Sequence, residues 1–109
     1  MSLLQKIKEI FSSSTNEISS IPKNAVLIDV RNPNEHAVSA IKNSLLIPLP
    51  DIQNATLLEK QLSDNTRPIV VFCASGVRSF RAKRQLQVLG YTKVYNGGGI
   101  EQVRRLLQQ

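Results

Sequence analysis

Apolar residues fall in short, dense runs separated by polar stretches with helical spacing, and this alternation gives the outline of the chain. The runs are Val26 to Val30, Leu45 to Leu49, Ile69 to Phe72 and Lys93 to Tyr95. Each has strand length and is bounded by turn formers, and Val26 to Val30 and Ile69 to Phe72 are rich in β-branched residues. Between and after them, helices are predicted at about Ala55 to Leu62, Val77 to Leu89 and Ile100 to Leu107, with Gly90 capping the central one. Strands that are apolar at nearly every position are buried on both faces, as in a parallel sheet covered by helices. A brief edge strand near Glu17 to Ser19 would bring the total to five. The expected fold is therefore α/β, with a central, mainly parallel five-stranded sheet and helices on both faces. Ahead of it, Leu3, Ile7 and Ile10 recur at helical spacing with Leu4 and Phe11 flanking, and Ser12 to Asn16 reads as a loop. Residues 1–16 are thus expected to form an amphipathic helix and linker, and residues 17–109 one domain.

Composition agrees with a single core. The chain has 109 residues, 41% hydrophobic and 20% charged, enough for one core and not for two. Its single cysteine excludes an intrachain disulfide framework and any zinc site built from several thiols, and it suits a reducing cytosol. No apolar run approaches the length of a membrane span, and residues 1–11 lack a secretory apolar centre. The expectation is a cytoplasmic protein without membrane contact. The net charge of +6 draws attention to Arg78, Arg81, Lys83, Arg84, Arg104 and Arg105. Only one aromatic residue, Phe80, lies within that cluster, too few for the stacking platform that nucleic acid would require. A positive field instead suits a small anion or an acidic partner protein.

Chemistry concentrates at Cys73, where the third apolar run gives way to a basic helix. A thiol at the carboxyl end of a strand in an open α/β sheet is expected to face the ligand-binding crevice, next to the amide donors of a helix start. Both factors favour the thiolate, which is the nucleophile; an unperturbed cysteine, with a pKa of about 8.5, is mostly protonated at neutral pH. Four residues, Ala74, Ser75, Gly76 and Val77, separate Cys73 from Arg78. Their amides can curl into a nest around the sulfur, with Gly76 taking the strained dihedral. Val77 is expected to turn towards the core and Arg78 to attract an anionic group, while Arg81 and Arg84 read as a solvated helix face. A preformed thiolate needs no general base, so His36 is expected on the surface or in the core. Gly97-Gly98-Gly99 is too short and wrongly placed for a nucleotide fingerprint and reads as a close-packed turn.

Three blocks together resemble a known family. Cys73-Ala74-Ser75-Gly76-Val77-Arg78-Ser79, with Val26-Leu27-Ile28-Asp29-Val30-Arg31 upstream and Val94-Tyr95-Asn96-Gly97-Gly98-Gly99 downstream, is similar in order and spacing to the single-domain rhodaneses. The likeness covers roughly residues 17–105. It implies a sulfurtransferase in which Cys73 accepts a sulfane sulfur from thiosulfate or a persulfide, becomes a persulfide itself, and passes the outer sulfur to cyanide or a thiol. The loop from Ala74 to Arg78 would bind the substrate, and Asp29, Arg31 and Ser79 would support it, with Arg31 clamped to Glu35. The resemblance places the glycine run beside the reactive loop. No metal or organic cofactor is implied; a persulfide-carrying protein is a further partner that the resemblance implies. The family's usual histidine is replaced by Ala40, and Val103 stands near the place of its common tryptophan. Two other readings stay open: a non-catalytic rhodanese-like binding module or persulfide carrier, and a cysteine-dependent phosphatase, whose loop is one residue longer.

Overall fold

The computed structural model describes residues 17–64 and 66–109. The helix expected ahead of Glu17 lies outside the described residues. Four strands, β1 (Val26–Asp29), β2 (Leu45–Leu46), β3 (Ile69–Cys73) and β4 (Val94–Gly99), pair in the order β2-β1-β3-β4, all parallel. The helices are α1 (Pro33–Val38), α2 (Ala55–Gln61), α3 (Val77–Val88) and α4 (Ile100–Leu107), with a 3₁₀ turn at Leu49–Asp51. Among the described residues no helix is long and apolar enough to cross a membrane.

β3 sits at the centre and is buried at all five positions. Successive side chains of a strand point to opposite faces, so Ile69, Val71 and Cys73 share one face and pack with Leu58 of α2, Leu62 just after it, and Ala82 and Leu86 of α3. Phe72 points the other way, onto Ile100 and Val103 of α4. Helices therefore cover both faces, as the unbroken apolar run of β3 requires.

The sheet is narrower than the five strands expected. The segment at Glu17 contributes a single bridge to Asn96, with the Ile18 amide donating to the Asn96 carbonyl at 3.0 Å. The second strand ends at Leu46 instead of running to Leu49, because Pro48 has no N–H for a ladder and Pro50 follows within the turn. β4 is longer than expected, and its glycines lie in the strand. Val71 stands opposite Asn96 and Phe72 opposite Gly98, so Gly97 is an extra residue and forms a β-bulge. A Cβ at Gly97 would lie 2.8 Å from both Val103 Cγ2 and Val70 Cγ1. Only glycine fits between the sheet and α4 there.

α1 was not anticipated, because it is short and buries none of its residues. Its signal is the capping box of Asn32-Pro33-Asn34-Glu35: Asn32 Oδ1 accepts from the Glu35 amide at 2.9 Å, and Glu35 Oε1 accepts from the Asn32 amide at 3.2 Å. Pro33 occupies the first helical position, where its missing N–H costs nothing. Gly90, at φ 104°, follows the last turn of α3 in the left-handed conformation that ends many helices.

Candidate active site

Cys73 is the last residue of β3, and the chain turns from it into α3 through Ala74, Ser75 and Gly76. Gly76 adopts φ 103°, a left-handed conformation that glycine takes without steric cost. That turn aims the Gly76 amide at the Cys73 sulfur, 2.9 Å from Sγ. Ser79 Oγ lies 3.5 Å away on the first turn of α3. Burial alone would raise the thiol pKa. The Ser79 hydroxyl and the amides of Ser79, Gly76 and Ser75 outweigh it, and the pKa lies below the ordinary thiol value.

A buried amide side chain holds this cradle from behind. Asn96 Oδ1 accepts from Ser79 Oγ at 2.7 Å and from the Gly98 amide at 2.9 Å, and its Nδ2 donates to the Gly76 carbonyl at 3.3 Å. Asn96 thus ties β4, α3 and the reactive loop together. The single hydroxyl proton of Ser79 can serve Asn96 or the sulfur, one at a time.

The thiol does not face an open crevice as expected. Cys73 is 0% exposed. Its position in the strand is the reason: it shares a face with Ile69 and Val71 and points beneath α3, while Ala74 and Ser75, which follow it, are exposed. Val77 is also placed differently. It is 62% exposed instead of turned inward, because it precedes Ser79 by two residues, about 200° around the helix from the face that Ser79, Ala82 and Leu86 bury.

Arg31, Glu35 and Arg78 pair otherwise than the family resemblance implied. Arg31 does not clamp Glu35. Two residues on from Asp29, it folds back on it: the Arg31 amide and Nε donate to Oδ1 at 3.0 and 2.9 Å, and Nη2 donates to Oδ2 at 2.7 Å and to the Ser39 carbonyl at 2.5 Å. His36 Nδ1 stands 2.9 Å from Asp29 Oδ2, which requires its proton on Nδ1 because the carboxylate can only accept. Burial pushes the Asp29 pKa up, but the hydrogen bonds from Arg31 and His36 prevail and hold it below the usual carboxylate value. Glu35 instead takes Arg78 in a two-pronged pair, Nη1 to Oε1 at 2.6 Å and Nη2 to Oε2 at 3.0 Å. The hydrogen bonds from Arg78 lower the Glu35 pKa to about 2. Arg78 is raised in turn, first by Glu35, with the negative charge of Cys73 and a hydrogen bond to its sulfur adding to the effect. The guanidinium expected to await an anion is therefore already bound, and it tethers the start of α3 to α1.

The family model of the rhodanese-like domain matches residues 14–105. This chain belongs to the rhodanese family. Thiosulfate sulfurtransferase PspE of Escherichia coli (strain K12) is 30% identical to it over 76 residues, covering 70% of this chain and 71% of that protein. The tRNA uridine(34) hydroxylase of Erwinia tasmaniensis is 33% identical over 89 residues, 78% of this chain, but the chain spans only 25% of that longer protein. Among solved structures, a rhodanese with anions from E. coli superposes with a TM-score of 0.66 at 29% identity, covering 72% of this chain and 89% of that one.

The rhodanese domain brings together Cys73, the Ala74–Arg78 loop and Ser79, while Asp29 and Arg31 form a separate buried pair beneath α1. Asn96 escaped the sequence reading. Its signal was a polar residue following the apolar start of β4, immediately before glycines that mark a close approach of backbones. That approach gives a prediction. A Cβ at Gly99 would lie 2.5 Å from the Ala74 carbonyl oxygen. Backbone cannot swing aside as a side chain can, so Gly99→Ala should displace the reactive loop, destabilise the domain by about 1–3 kcal/mol and lower sulfur transfer. Urea unfolding and steady-state kinetics measure the two effects, and a variant matching the parent in both would remove Gly99 from the account of the loop.

Proposed function

We propose that this rhodanese domain transfers a sulfane sulfur from thiosulfate or a persulfide donor to cyanide or a thiol, through a persulfide on Cys73. The observation that carries the reading is the buried sulfur at the start of α3, which receives the Gly76 amide at 2.9 Å and has a lowered pKa. In the first half-reaction the Cys73 thiolate attacks the outer sulfur of thiosulfate. A Cys–S–S⁻ bond forms, the donor S–S bond breaks, and sulfite leaves with the electron pair. In the second, cyanide or a thiolate attacks the outer sulfur and the Cys73 thiolate departs. Splitting the transfer this way is nucleophilic catalysis needing no metal and no base. Amides already aimed at the sulfur stabilise the anion before and after transfer without reorganising. Ala74, Ser75, Gly76 and Val77 form the loop that cradles the sulfur; Arg78, held by Glu35, fixes its far end; Ser79 and Asn96 support it. Asp29 and Arg31 contribute by stabilising the strand end that carries α1. A free thiol cycling through a persulfide suits the reducing cytoplasm.

Mass spectrometry after thiosulfate treatment tests this reading. The expected result is one added sulfur on the chain that cyanide removes, and no uptake would overturn it. The enclosure of Cys73 at 0% exposure favours a second reading, a protein persulfide carrier that accepts sulfur only from a partner able to open the loop. Slow loading by thiosulfate together with rapid loading by a persulfidated protein would select it. A phosphatase is disfavoured, since the short loop offers too few amides to encircle a phosphoryl group.

A further inference from the structure

The edge segment that pairs with β4 brings a carboxylate to the reactive loop. The Glu17 main chain is fixed by its bridge to Asn96, and its side chain reaches Gly76 and Gly98. A methyl group on Gly98 would lie 3.0 Å from Glu17 Cδ and 3.1 and 3.3 Å from its two oxygens, and one on Gly76 would collide with Oε1. The two glycines also meet each other, a Cβ on Gly76 falling 3.3 Å from Gly98 Cα. The carboxylate therefore rests on the residue whose amide binds the Cys73 sulfur. Among the described residues Asp29, Glu35 and Glu101 are in ion pairs and Glu17 is in none. Arg78, the cation of the loop, has both terminal nitrogens committed to Glu35. Among the described residues, the exposed Glu17 carboxylate thus has no ion-pair partner at the cradle.

We infer that Glu17 sets the charge class of the sulfur donor, working against dianions such as thiosulfate and favouring monoanionic donors such as organic thiosulfonates. This rests on the sulfurtransferase reading of Cys73. Like charges held close together disfavour the wrong partner at encounter and in the bound state. A donor with two negative charges therefore meets about twice the penalty of a donor with one.

Thiosulfate and methanethiosulfonate separate the effect of charge from that of chemistry. Attack by the Cys73 thiolate on the outer sulfur of either gives the same persulfide, with sulfite leaving from the first and methanesulfinate from the second. Wild type and Glu17→Gln are compared with both donors by steady-state kinetics at low ionic strength, with sulfur loading followed by mass spectrometry. Glu17→Gln should raise kcat/KM for thiosulfate about tenfold and for methanethiosulfonate about threefold, mainly through KM, and the difference should shrink at high salt. If both proteins load Cys73 and the ratio of the two donors stays within about twofold, the inference is overturned while the sulfurtransferase reading stands. If neither donor loads either protein, it is the sulfurtransferase reading that fails.

Discussion

Cys73→Ser is expected to take up no sulfur from thiosulfate and to lose at least about 10³-fold in transfer rate, the scale of effect seen when an enzyme's nucleophile is removed. The serine hydroxyl is nearly isosteric and can keep the Gly76 amide and Ser79 Oγ as partners, so the fold should persist. What it cannot do is ionise: the cradle selects for an anion on the side chain, and at neutral pH the amides around a thiol produce one while those around an alcohol do not. The same loading assay measures it, together with circular dichroism to establish that the domain is folded. Residual transfer within about tenfold of the parent would mean that the chemistry belongs to another group.

Asp29→Asn is expected to destabilise the domain by about 3–5 kcal/mol, the range for removing one partner of a buried ion pair. The side chains of Asp29 and Arg31 are 0% and 6% exposed. The substitution leaves the Arg31 guanidinium buried opposite a neutral amide and turns one of the two oxygens that accept from Arg31 and His36 into a donor. The sign of the pH dependence follows from the lowered Asp29 pKa. A carboxylate with a lower pKa folded than unfolded contributes its stabilisation above the unfolded value, and loses it as pH falls through the folded one. Urea unfolding of the parent should therefore show stability falling on acidification, and Asp29→Asn should flatten that slope. A loss under about 1 kcal/mol, the range of exposed pairs, would show that the pair is not held as tightly as its distances imply.

Much of the architecture was legible because burial on both faces leaves a plain mark. The unbroken apolar run Ile69-Val70-Val71-Phe72 predicts a central strand, and β3 is one. The loop from Ala74 to Arg78 was legible as well, since small residues and a glycine after a strand allow few conformations other than a tight turn into a helix. The charge pairing was not. Asp29, Arg31, Glu35 and Arg78 can be matched in several ways along the sequence, and the choice depends on where α1 lies. That helix presents no apolar face to announce it. Burial of Cys73 was visible in principle, since the alternation that puts Val71 in the core does the same for the residue two positions on. The expected fifth strand failed because Glu17-Ile18-Ser19 is mostly polar and, among the described residues, makes one bridge to β4. Even so, that bridge carries Glu17 to the loop, a contact between distant segments that no local pattern encodes.

The central claim is that backbone amides and Ser79 lower the Cys73 pKa despite complete burial. Titration of the thiolate by its ultraviolet absorbance, with Cys73→Ser subtracted, tests this most directly because it needs no reagent to reach an enclosed sulfur. A midpoint below the ordinary cysteine value of about 8.5, moving upward in Ser79→Ala, is the predicted result. A midpoint at or above that value would mean that burial outweighs the cradle and that the resting nucleophile is a thiol.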